Sequence, residues 1–262
     1  MSPEDLHIDE TKQAATIDGI ERLLSPFHCL HRYQLHGVDH IPTEGPALLV
    51  VNHSFATYDA FLMGMELYFR TGRMMRALGD DLIFKMPKIK EWAEHLGIVP
   101  ASPTTGALLL KEGELLGVAP GGMREALRPS AERYRVRWKE RKGFIRLAIS
   151  AQVPIFLVTC PRGDDLYSIY ESPLTRIGYK FFRVPIPIIR GFGPTILPRP
   201  VKLQHLIAAP LYPPLYVPRH KMDDDTDDLE EKRDAHFEQL VDRFHAQVIT
   251  RMNTLMHEAL SL

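Results

Sequence analysis

A histidine and an aspartate six residues apart suggest a reactive site in this sequence. Residues 47–51 form an unbroken apolar run, rich in β-branched residues, that predicts a buried strand. His53 lies just beyond this run, and apolar residues with helical spacing resume at Phe61. Asp59 is therefore expected in or near the first turn of a helix. Because open α/β sheets bind ligands at the carboxyl ends of their strands, His53 is expected where a ligand binds.

His53 and Asp59 are the residue types that form a general base and its orienting partner. A carboxylate that accepts the Nδ1 hydrogen fixes the tautomer, leaves Nε2 to take up a proton and stabilises the imidazolium. Such a base activates a hydroxyl group for acyl transfer. The alternative is a histidine at a strand end beside an aspartate that only complements the helix dipole. This stretch leaves both interpretations open.

A glycine turn in the second informative stretch, residues 118–127, is suited to binding an anion. The stretch reads V-A-P-G-G-M-R-E-A-L. Gly121 and Gly122 allow the backbone to pass close to a ligand and to present N–H groups, and Arg124 adds a fixed cation. Together they predict binding of an oxyanion or a phosphate. A plain turn between two elements is the alternative.

Composition limits the classes of protein that this chain can represent. The 262 residues carry a net charge of -1, with 45% hydrophobic and 25% charged residues. This near-neutral balance argues against a nucleic-acid partner. The two cysteines have no metal-ligand spacing, so no metal is expected, and they suit a reducing compartment. We find neither a signal-peptide pattern nor an apolar run of transmembrane length. A cytoplasmic protein associated peripherally with a membrane is therefore expected.

Strand and helix patterns alternate along the chain, which predicts an α/β fold with a mainly parallel central sheet and helices on both faces. Helical extensions are expected at both ends. Within this plan, residues 105–116 are predicted as a helix and residues 118–119 as a strand. Three regions are predicted: an N-terminal amphipathic helical segment over residues 1–30, a main domain over residues 31–222, and an acidic linker with a C-terminal amphipathic helix over residues 223–262. The last helix is expected to pack on the main domain, and a membrane or a second subunit remains an alternative for both terminal segments.

The segment from residue 124 to residue 142 is densely basic. Eight basic residues against three acidic ones leave a local charge of +5 in a chain that is nearly neutral overall. Such a segment favours anionic lipid or the phosphates of a cosubstrate, and a solvated loop is the alternative. The candidates for contacts with phosphates or a membrane are Arg128, Arg137, Arg141 and Lys142.

Together, these motifs resemble those of the glycerolipid acyltransferase superfamily, which includes the lysophosphatidic acid acyltransferases. The resemblance covers residues 34–213 approximately. Its marks are Asn52-His53 with the downstream Asp59, the Pro-x-Gly-x-Arg turn of residues 120–124, and Val-Pro-Ile at residues 153–155. Five residues, instead of the common four, separate His53 from Asp59, and Gly121 replaces a common glutamate. Both departures are similar to the branch of phytyl ester synthases and transmembrane-68-type diacylglycerol acyltransferases.

The resemblance implies an O-acyltransferase that moves a fatty acyl group from acyl-coenzyme A or acyl-carrier protein to a lipid hydroxyl. It implies that His53 is the general base oriented by Asp59, and that the substrate and oxyanion site comprises Gly121, Gly122, Arg124 and Glu125. The thioester is a cosubstrate, and no cofactor is implied. The expected partners are the acyl donor, the lipid acceptor and a membrane surface, with the oligomeric state left open.

The identity of the acceptor depends on one further comparison with the superfamily. Phosphate-accepting members have an arginine in the region that corresponds to residues 98–102, whereas this chain has Val-Pro-Ala-Ser at residues 99–102. A neutral acceptor such as mono- or diacylglycerol or a long-chain alcohol is therefore expected. A lysophosphatidic acid or lysophospholipid acyltransferase is one alternative. Another is a lipid ester or thioester hydrolase, although the chain lacks the G-x-S-x-G motif of α/β-hydrolases.

Overall fold

A seven-stranded, mainly parallel sheet forms the centre of the protein. The computed structural model describes residues 10–55, 58–85, 87–138, 140–170, 187–217 and 227–262. The strands of the central sheet are β1 (Gln34–His36), β2 (Ala47–Val51), β3 (Met75–Gly79), β4 (Ile98–Pro100), β5 (Leu115–Val118), β6 (Ile155–Thr159) and β9 (Gln204–Ile207). A separate hairpin is formed by β7 (Ser168–Tyr170) and β8 (Ile188–Arg190).

The strands of the central sheet follow the order β1-β9-β6-β2-β5-β3-β4. Strands β2 to β6 run parallel to one another, whereas β9 pairs antiparallel with β6 and β1 pairs parallel with β9. Five of the seven strands therefore share one direction, and their carboxyl ends meet at one edge. This architecture confirms the predicted α/β fold with a mainly parallel sheet.

Helices cover both faces of the sheet. The helices are α1 (Glu10–Leu30), α2 (Tyr58–Thr71), α3 (Asp81–Phe84), α4 (Pro87–His95), α5 (Pro103–Lys111), α6 (Gly122–Ala126), α7 (Gly143–Ala151) and α8 (Asp227–Leu260). Because successive side chains of a strand point to opposite faces, the fully buried strands contribute to two separate cores. Leu48 and Val50 pack in the core that includes α5, α7 and α8, whereas Leu49 and Val51 pack in the core that includes α1 and α2.

The prediction of a helix over residues 105–116 was wrong at the carboxyl end of the segment. Helix α5 ends at Lys111, and Leu115 and Leu116 belong to strand β5. Gly113 adopts a φ of 83°, a left-handed conformation that glycine adopts without strain and that commonly ends a helix. The five leucines of the segment fit a helical or an extended pattern equally well, so their pattern alone did not reveal the boundary.

Both terminal helices pack on the main domain. Ile20 and Leu24 of α1 lie in the core with α2, and α8 buries Val241, Phe244 and Val248 among other residues of the opposite core. Leu23 of α1 remains 65% exposed. Residues 223–226 of the predicted acidic linker lie outside the described residues. Among the helices that the structure describes, none is both long enough and apolar enough to cross a bilayer.

Candidate functional site

The carboxyl edge of the sheet brings the loop of His53 next to the end of strand β6. Strand β2 ends at Val51, directly before Asn52 and His53, and the neighbouring strand β6 ends at Thr159, directly before Cys160. The side-chain oxygen of the buried Asn52 accepts the backbone N–H of Cys160 at 3.1 Å. Asn52 therefore joins the two strand ends and fixes the point at which the chain enters the loop of His53.

Glu125 connects the loop of His53 to the glycine turn. Its side chain is completely buried, and its Oε2 accepts the backbone N–H of His53 at 2.9 Å and the indole N–H of Trp138 at 3.3 Å. Its Oε1 accepts the backbone N–H of Arg137 at 3.0 Å. The carboxylate also packs against the backbone of Gly121, where an added Cβ would lie 2.2 Å from Oε2. This geometry joins the loop of His53 to the glycine turn through Glu125, and the substrate or oxyanion contact expected of this residue stays a prediction.

The imidazole of His53 is partly exposed and has a defined tautomer. Its Nδ1 lies 2.9 Å from the carbonyl oxygen of Ser54. Because a carbonyl oxygen only accepts, Nδ1 carries the hydrogen and the lone pair of the neutral ring is on Nε2. Burial lowers the pKa of His53, and the nearby positive charge of Arg128 lowers it further. Both effects favour the neutral form that a general base requires at pH 7.

Asp59 lies in the first turn of α2 and is buried behind the loop of His53. Its Oδ1 accepts a hydrogen bond of 2.8 Å from the hydroxyl of Ser54, the residue whose carbonyl binds His53. Burial raises the pKa of Asp59 to about 6, so the carboxylate is ionised at pH 7. The described contacts connect Asp59 to His53 through Ser54, and direct orientation of the imidazole by Asp59 stays a prediction.

A buried cluster behind Asp59 contains residues that the sequence did not single out. His205 of β9 places its Nε2 at 4.0 Å from Oδ2 of Asp59, and its Nδ1 is 3.0 Å from the hydroxyl of Tyr33. Burial lowers the pKa of His205 to about 3, so the ring is neutral. In the sequence, His205 is a single histidine in the short strand β9, and no neighbouring residue marks it as part of a site.

Asp59, His205 and Cys160 together have the spacing of a metal-ligand set. One ligand atom from each lies within 4.8 Å of the others, and all three residues are buried. Burial raises the pKa of the Cys160 thiol well above its usual range, which favours the protonated form over the thiolate that binds metals. The chemistry of this cluster therefore fits a set of hydrogen-bonding groups better than a metal centre, and the absence of a metal stays a prediction.

The glycine turn presents only part of the predicted anion site. Gly122 adopts a φ of 51°, and its N–H donates to the carbonyl of Ala119 at 3.0 Å. Its amide is thus already satisfied within the turn. The N–H of Gly121 has no backbone acceptor among the residues that the structure describes, and Arg124 is exposed beside it. The oxyanion-binding role predicted for this turn therefore depends on Gly121 and Arg124.

Arg128 is buried, which differs from the membrane or phosphate contact predicted for it. Its guanidinium binds both carboxylate oxygens of Asp164 at 2.6 to 3.0 Å and donates to the carbonyl of Glu125 at 3.2 Å. A side chain that is 2% exposed and held in this way cannot reach a bilayer surface. Sequence position did not reveal this, because Asp164 lies 36 residues further along the chain.

The other three candidates of the basic segment also have partners within the protein. Arg137 pairs with Glu132, and Arg141 donates to the carbonyl of Pro120 at 2.8 Å. Lys142 contacts Asp242 of α8 at 2.9 Å and Glu140 at 3.0 Å. Glu132 and Glu140 belong to the segment and are already counted in its charge of +5, so among these partners only Asp242 reduces that charge further. The expected contacts of these residues with phosphates or a membrane remain predictions that would require exchange of the internal partners.

Comparisons with known proteins show which family this chain resembles. A family model described as Acyltransferase matches residues 32–160, which include His53, Asp59 and the glycine turn. The chain is 35% identical over 182 residues to a chicken (Gallus gallus) protein and 33% identical over 183 residues to a bovine (Bos taurus) one. Both relatives are named "DGAT1/2-independent enzyme synthesizing storage lipids". Each alignment covers 69% of this chain and 52% of the relative, so the chain spans about half the length of these relatives.

The crystal structure of the 1-acyl-sn-glycerophosphate (LPA) acyltransferase PlsC from Thermotoga maritima matches 90% of this chain and 81% of that chain, with a TM-score of 0.48 and 18% sequence identity.

Together, the sheet and its loops define an α/β protein that carries His53 and the glycine turn at the carboxyl edge of the sheet. The match to the family model and the two relatives identify its family. The chain belongs to the glycerolipid acyltransferase superfamily.

Proposed function

We propose that this protein is an O-acyltransferase that moves a fatty acyl group from an acyl thioester to the hydroxyl of a neutral lipid. The observation that carries the proposal is the partly exposed imidazole of His53, whose Nδ1 hydrogen is bound by the Ser54 carbonyl at 2.9 Å. This contact leaves Nε2 as the basic nitrogen. The names of the relatives, which refer to enzymes of storage-lipid synthesis, support the same class of reaction.

In the proposed reaction His53 acts as a general base. Its Nε2 takes the proton of the acceptor hydroxyl while the hydroxyl oxygen forms a bond to the thioester carbonyl carbon. The N–H of Gly121 and the guanidinium of Arg124 stabilise the oxyanion. When the intermediate collapses, the carbon–sulfur bond breaks, the leaving thiolate takes the proton from His53 and the ester is released. General base catalysis of this kind contributes about 10²–10⁴-fold to the rate.

Direct attack by the acceptor, without a covalent acyl-enzyme, is supported by the environment of Ser54. This serine is adjacent to His53 but only 2% exposed, and its hydroxyl donates to Asp59 at 2.8 Å. A hydroxyl that is buried and directed at a carboxylate is poorly placed to attack a thioester. The role of Ser54 is therefore to connect Asp59 to the loop of His53.

A neutral acceptor is supported by the region that lacks the arginine of phosphate-accepting enzymes. Residues 98–100 form β4, and the hydroxyl of Ser102 accepts the backbone N–H of Thr105 at 3.0 Å as the cap of α5. No basic side chain occurs between residues 98 and 105. An acceptor phosphate would thus lack one ligand that this region supplies elsewhere in the superfamily.

The test is a panel of acceptors with the purified protein and a long-chain acyl-coenzyme A. Ester formation and thiol release are measured with monoacylglycerol, diacylglycerol, a long-chain alcohol and lysophosphatidic acid. We expect ester formation with at least one neutral acceptor and thiol release that depends on the acceptor. Fatty acid release at the same rate without an acceptor would indicate a hydrolase, and exclusive use of lysophosphatidic acid would overturn the neutral-acceptor assignment.

A further inference from the structure

Strand β8 and the residues that follow it expose a group of apolar side chains that do not pack in either core. In the described residues after β8, Phe192 is 60%, Ile196 78% and Leu197 62% exposed, and Ile188 within β8 is 58% exposed. Four large apolar residues within ten positions are more than a solvated loop normally presents to water. We name residues 188–197 the apolar loop.

The apolar loop has a defined, internally hydrogen-bonded backbone. The N–H of Gly191 donates to the carbonyl of Thr195 at 2.7 Å, and the N–H of Phe192 donates to the carbonyl of Leu197 at 2.7 Å. The N–H of Thr195 returns to the carbonyl of Phe192 at 3.1 Å, and its hydroxyl accepts the N–H of Leu197 at 3.1 Å. Backbone groups that are satisfied in this way can enter an apolar environment without losing hydrogen bonds to water.

The charge around the apolar loop favours an anionic surface. Residues 187–202 contain three basic residues, Arg190, Arg199 and Lys202, and no acidic residue. Arg199 braces the hairpin through the Asp165 carbonyl and the Ser168 hydroxyl, whereas Arg190 and Lys202 are exposed. Apolar side chains flanked by cations match the interface of an anionic bilayer. A second copy of this chain facing the same loop would bring like charges together.

The apolar loop lies on the same side of the molecule as the reactive edge. Because β9 runs antiparallel to β6, with Thr159 opposite Leu206, the residues before β9 emerge at the edge that carries His53 and Cys160. The hairpin also packs against the loop that carries His53. The ring of Tyr167 lies edge-on to Phe55 at 5.0 Å, and a small depression between them is lined by Gly163 and Ile169.

We propose that the apolar loop inserts into the surface of an anionic membrane and places the edge of His53 against the lipid from which the acceptor comes. This inference rests on the proposed function for the nature of the acceptor, but the binding itself is independent of catalysis. The basic segment of residues 124–142 has internal partners and is not required for this contact. The loop therefore defines one orientation of the protein, with its reactive edge facing the bilayer.

The test is sedimentation of the purified protein with phosphatidylcholine vesicles, with and without phosphatidylglycerol. Phe192→Asn combined with Ile196→Asn is expected to weaken binding at least about tenfold, because two apolar anchors are lost. Arg190→Gln combined with Lys202→Gln is expected to remove most of the difference between the two vesicle types. Thermal unfolding of each variant is expected to match the wild type, since all four side chains are exposed.

Two control variants separate the apolar loop from other apolar surfaces. Leu215→Asn changes a residue that is 81% exposed, but Leu211 pairs with Ile155 at the start of β6, which places residue 215 near the opposite edge. Trp92→Asn changes an exposed residue of α4. Both controls are expected to bind vesicles like the wild type.

Several outcomes would overturn the membrane contact. They are wild-type-like binding by the double loop variant, loss of binding in Trp92→Asn alone, and absence of binding by the wild type. Conversion of a dimer to a monomer by the loop substitutions would assign the surface to a second copy and would also overturn it. Acyl transfer is measured in parallel with detergent-dispersed acceptor. Activity there without vesicle binding would overturn this inference alone, whereas vesicle binding without any transfer would contradict only the proposed function.

Discussion

The backbone amide of His53 donates a hydrogen bond of 2.9 Å to Oε2 of Glu125. This bond fixes the loop of His53 relative to the glycine turn, although His53 and Glu125 are 72 residues apart in sequence. The same carboxylate accepts two further N–H groups, from Arg137 and Trp138. The relative position of His53 and the glycine turn therefore depends on one buried carboxylate.

Glu125→Gln is predicted to impair both stability and transfer. An amide replaces one acceptor oxygen by an NH₂ group, which then faces a donor N–H in a buried site. We expect a loss of about 1–3 kcal/mol in the free energy of unfolding and at least about a tenfold loss in kcat/KM. Glu132→Gln is the matched control, because it breaks a partly exposed pair with Arg137 and is expected to cost less than about 1 kcal/mol. Equal stability and activity in Glu125→Gln and the wild type would contradict this role.

The pH dependence of transfer is predicted to have an acidic limb that ends near pH 6. His53 is active as the neutral ring. Burial lowers its pKa below the ordinary value, so the ring is already neutral when the pH exceeds that ordinary value. Asp59 is ionised above its pKa of about 6, which burial raises. Activity should therefore rise with pH up to about 6 to 7 and then level off. A profile of kcat/KM that falls as pH rises through this range would contradict the assignment.

Ser54→Ala is predicted to move this acidic limb to higher pH. The hydroxyl of Ser54 donates to Asp59 and lowers the pKa of that carboxyl, against the effect of burial. Its removal should raise the pKa of Asp59, whereas the Ser54 carbonyl that binds His53 is unchanged. The measurement is the pH profile of kcat/KM for both proteins. A reduced rate with an unmoved limb would mean that Ser54 has only a packing role.

Asp59→Asn is predicted to stabilise the protein while it lowers transfer. Because the pKa of Asp59 is raised in the folded state, the stabilisation that comes with its protonation is present at low pH and is lost as the pH rises through about 6. At pH 8 the wild type thus bears the cost of a buried charge, and the variant does not. We expect a gain of about 2–3 kcal/mol at pH 8 that shrinks between about pH 6 and 4. Chemical denaturation at several pH values measures it, and destabilisation at pH 8 would contradict the account.

Transfer is predicted to be independent of bound metal, although Asp59, Cys160 and His205 have suitable spacing. We expect elemental analysis of the purified protein to show no stoichiometric metal, and prolonged treatment with a chelator to leave activity unchanged. His205→Phe is the informative variant. One equivalent of zinc in the wild type that disappears in this variant would show that the cluster is a metal site.

Local patterns predicted most of the framework around His53. The buried runs of β2 and β6 and the turn after β5 follow from apolar strands that end in polar or glycine-rich residues, so their convergence at one edge was predictable. The exception was the boundary between α5 and β5, where leucines suit both conformations and only Gly113 marks the end of the helix.

Long-range partners were not predictable from the sequence. Arg128 and Glu125 look like surface residues of a basic segment, and their burial depends on Asp164 and on the loop of His53. Tyr33, directly before β1, and His205 of β9 are 172 residues apart in sequence and come together because β1 pairs with β9 at one side of the sheet. Contacts between residues so far apart in sequence depend on tertiary packing. The apolar periodicity of a single segment does not predict them.

The most direct test of the account is the transfer rate of His53→Ala, measured with the acceptor that the wild type uses best. The account predicts a loss of about 10²–10⁴-fold in kcat with an unchanged melting temperature, because the side chain is partly exposed. His257→Ala, which changes an exposed histidine in the last turn of α8, should behave like the wild type. A folded His53→Ala protein with wild-type-like turnover would contradict the central claim that this imidazole is the base.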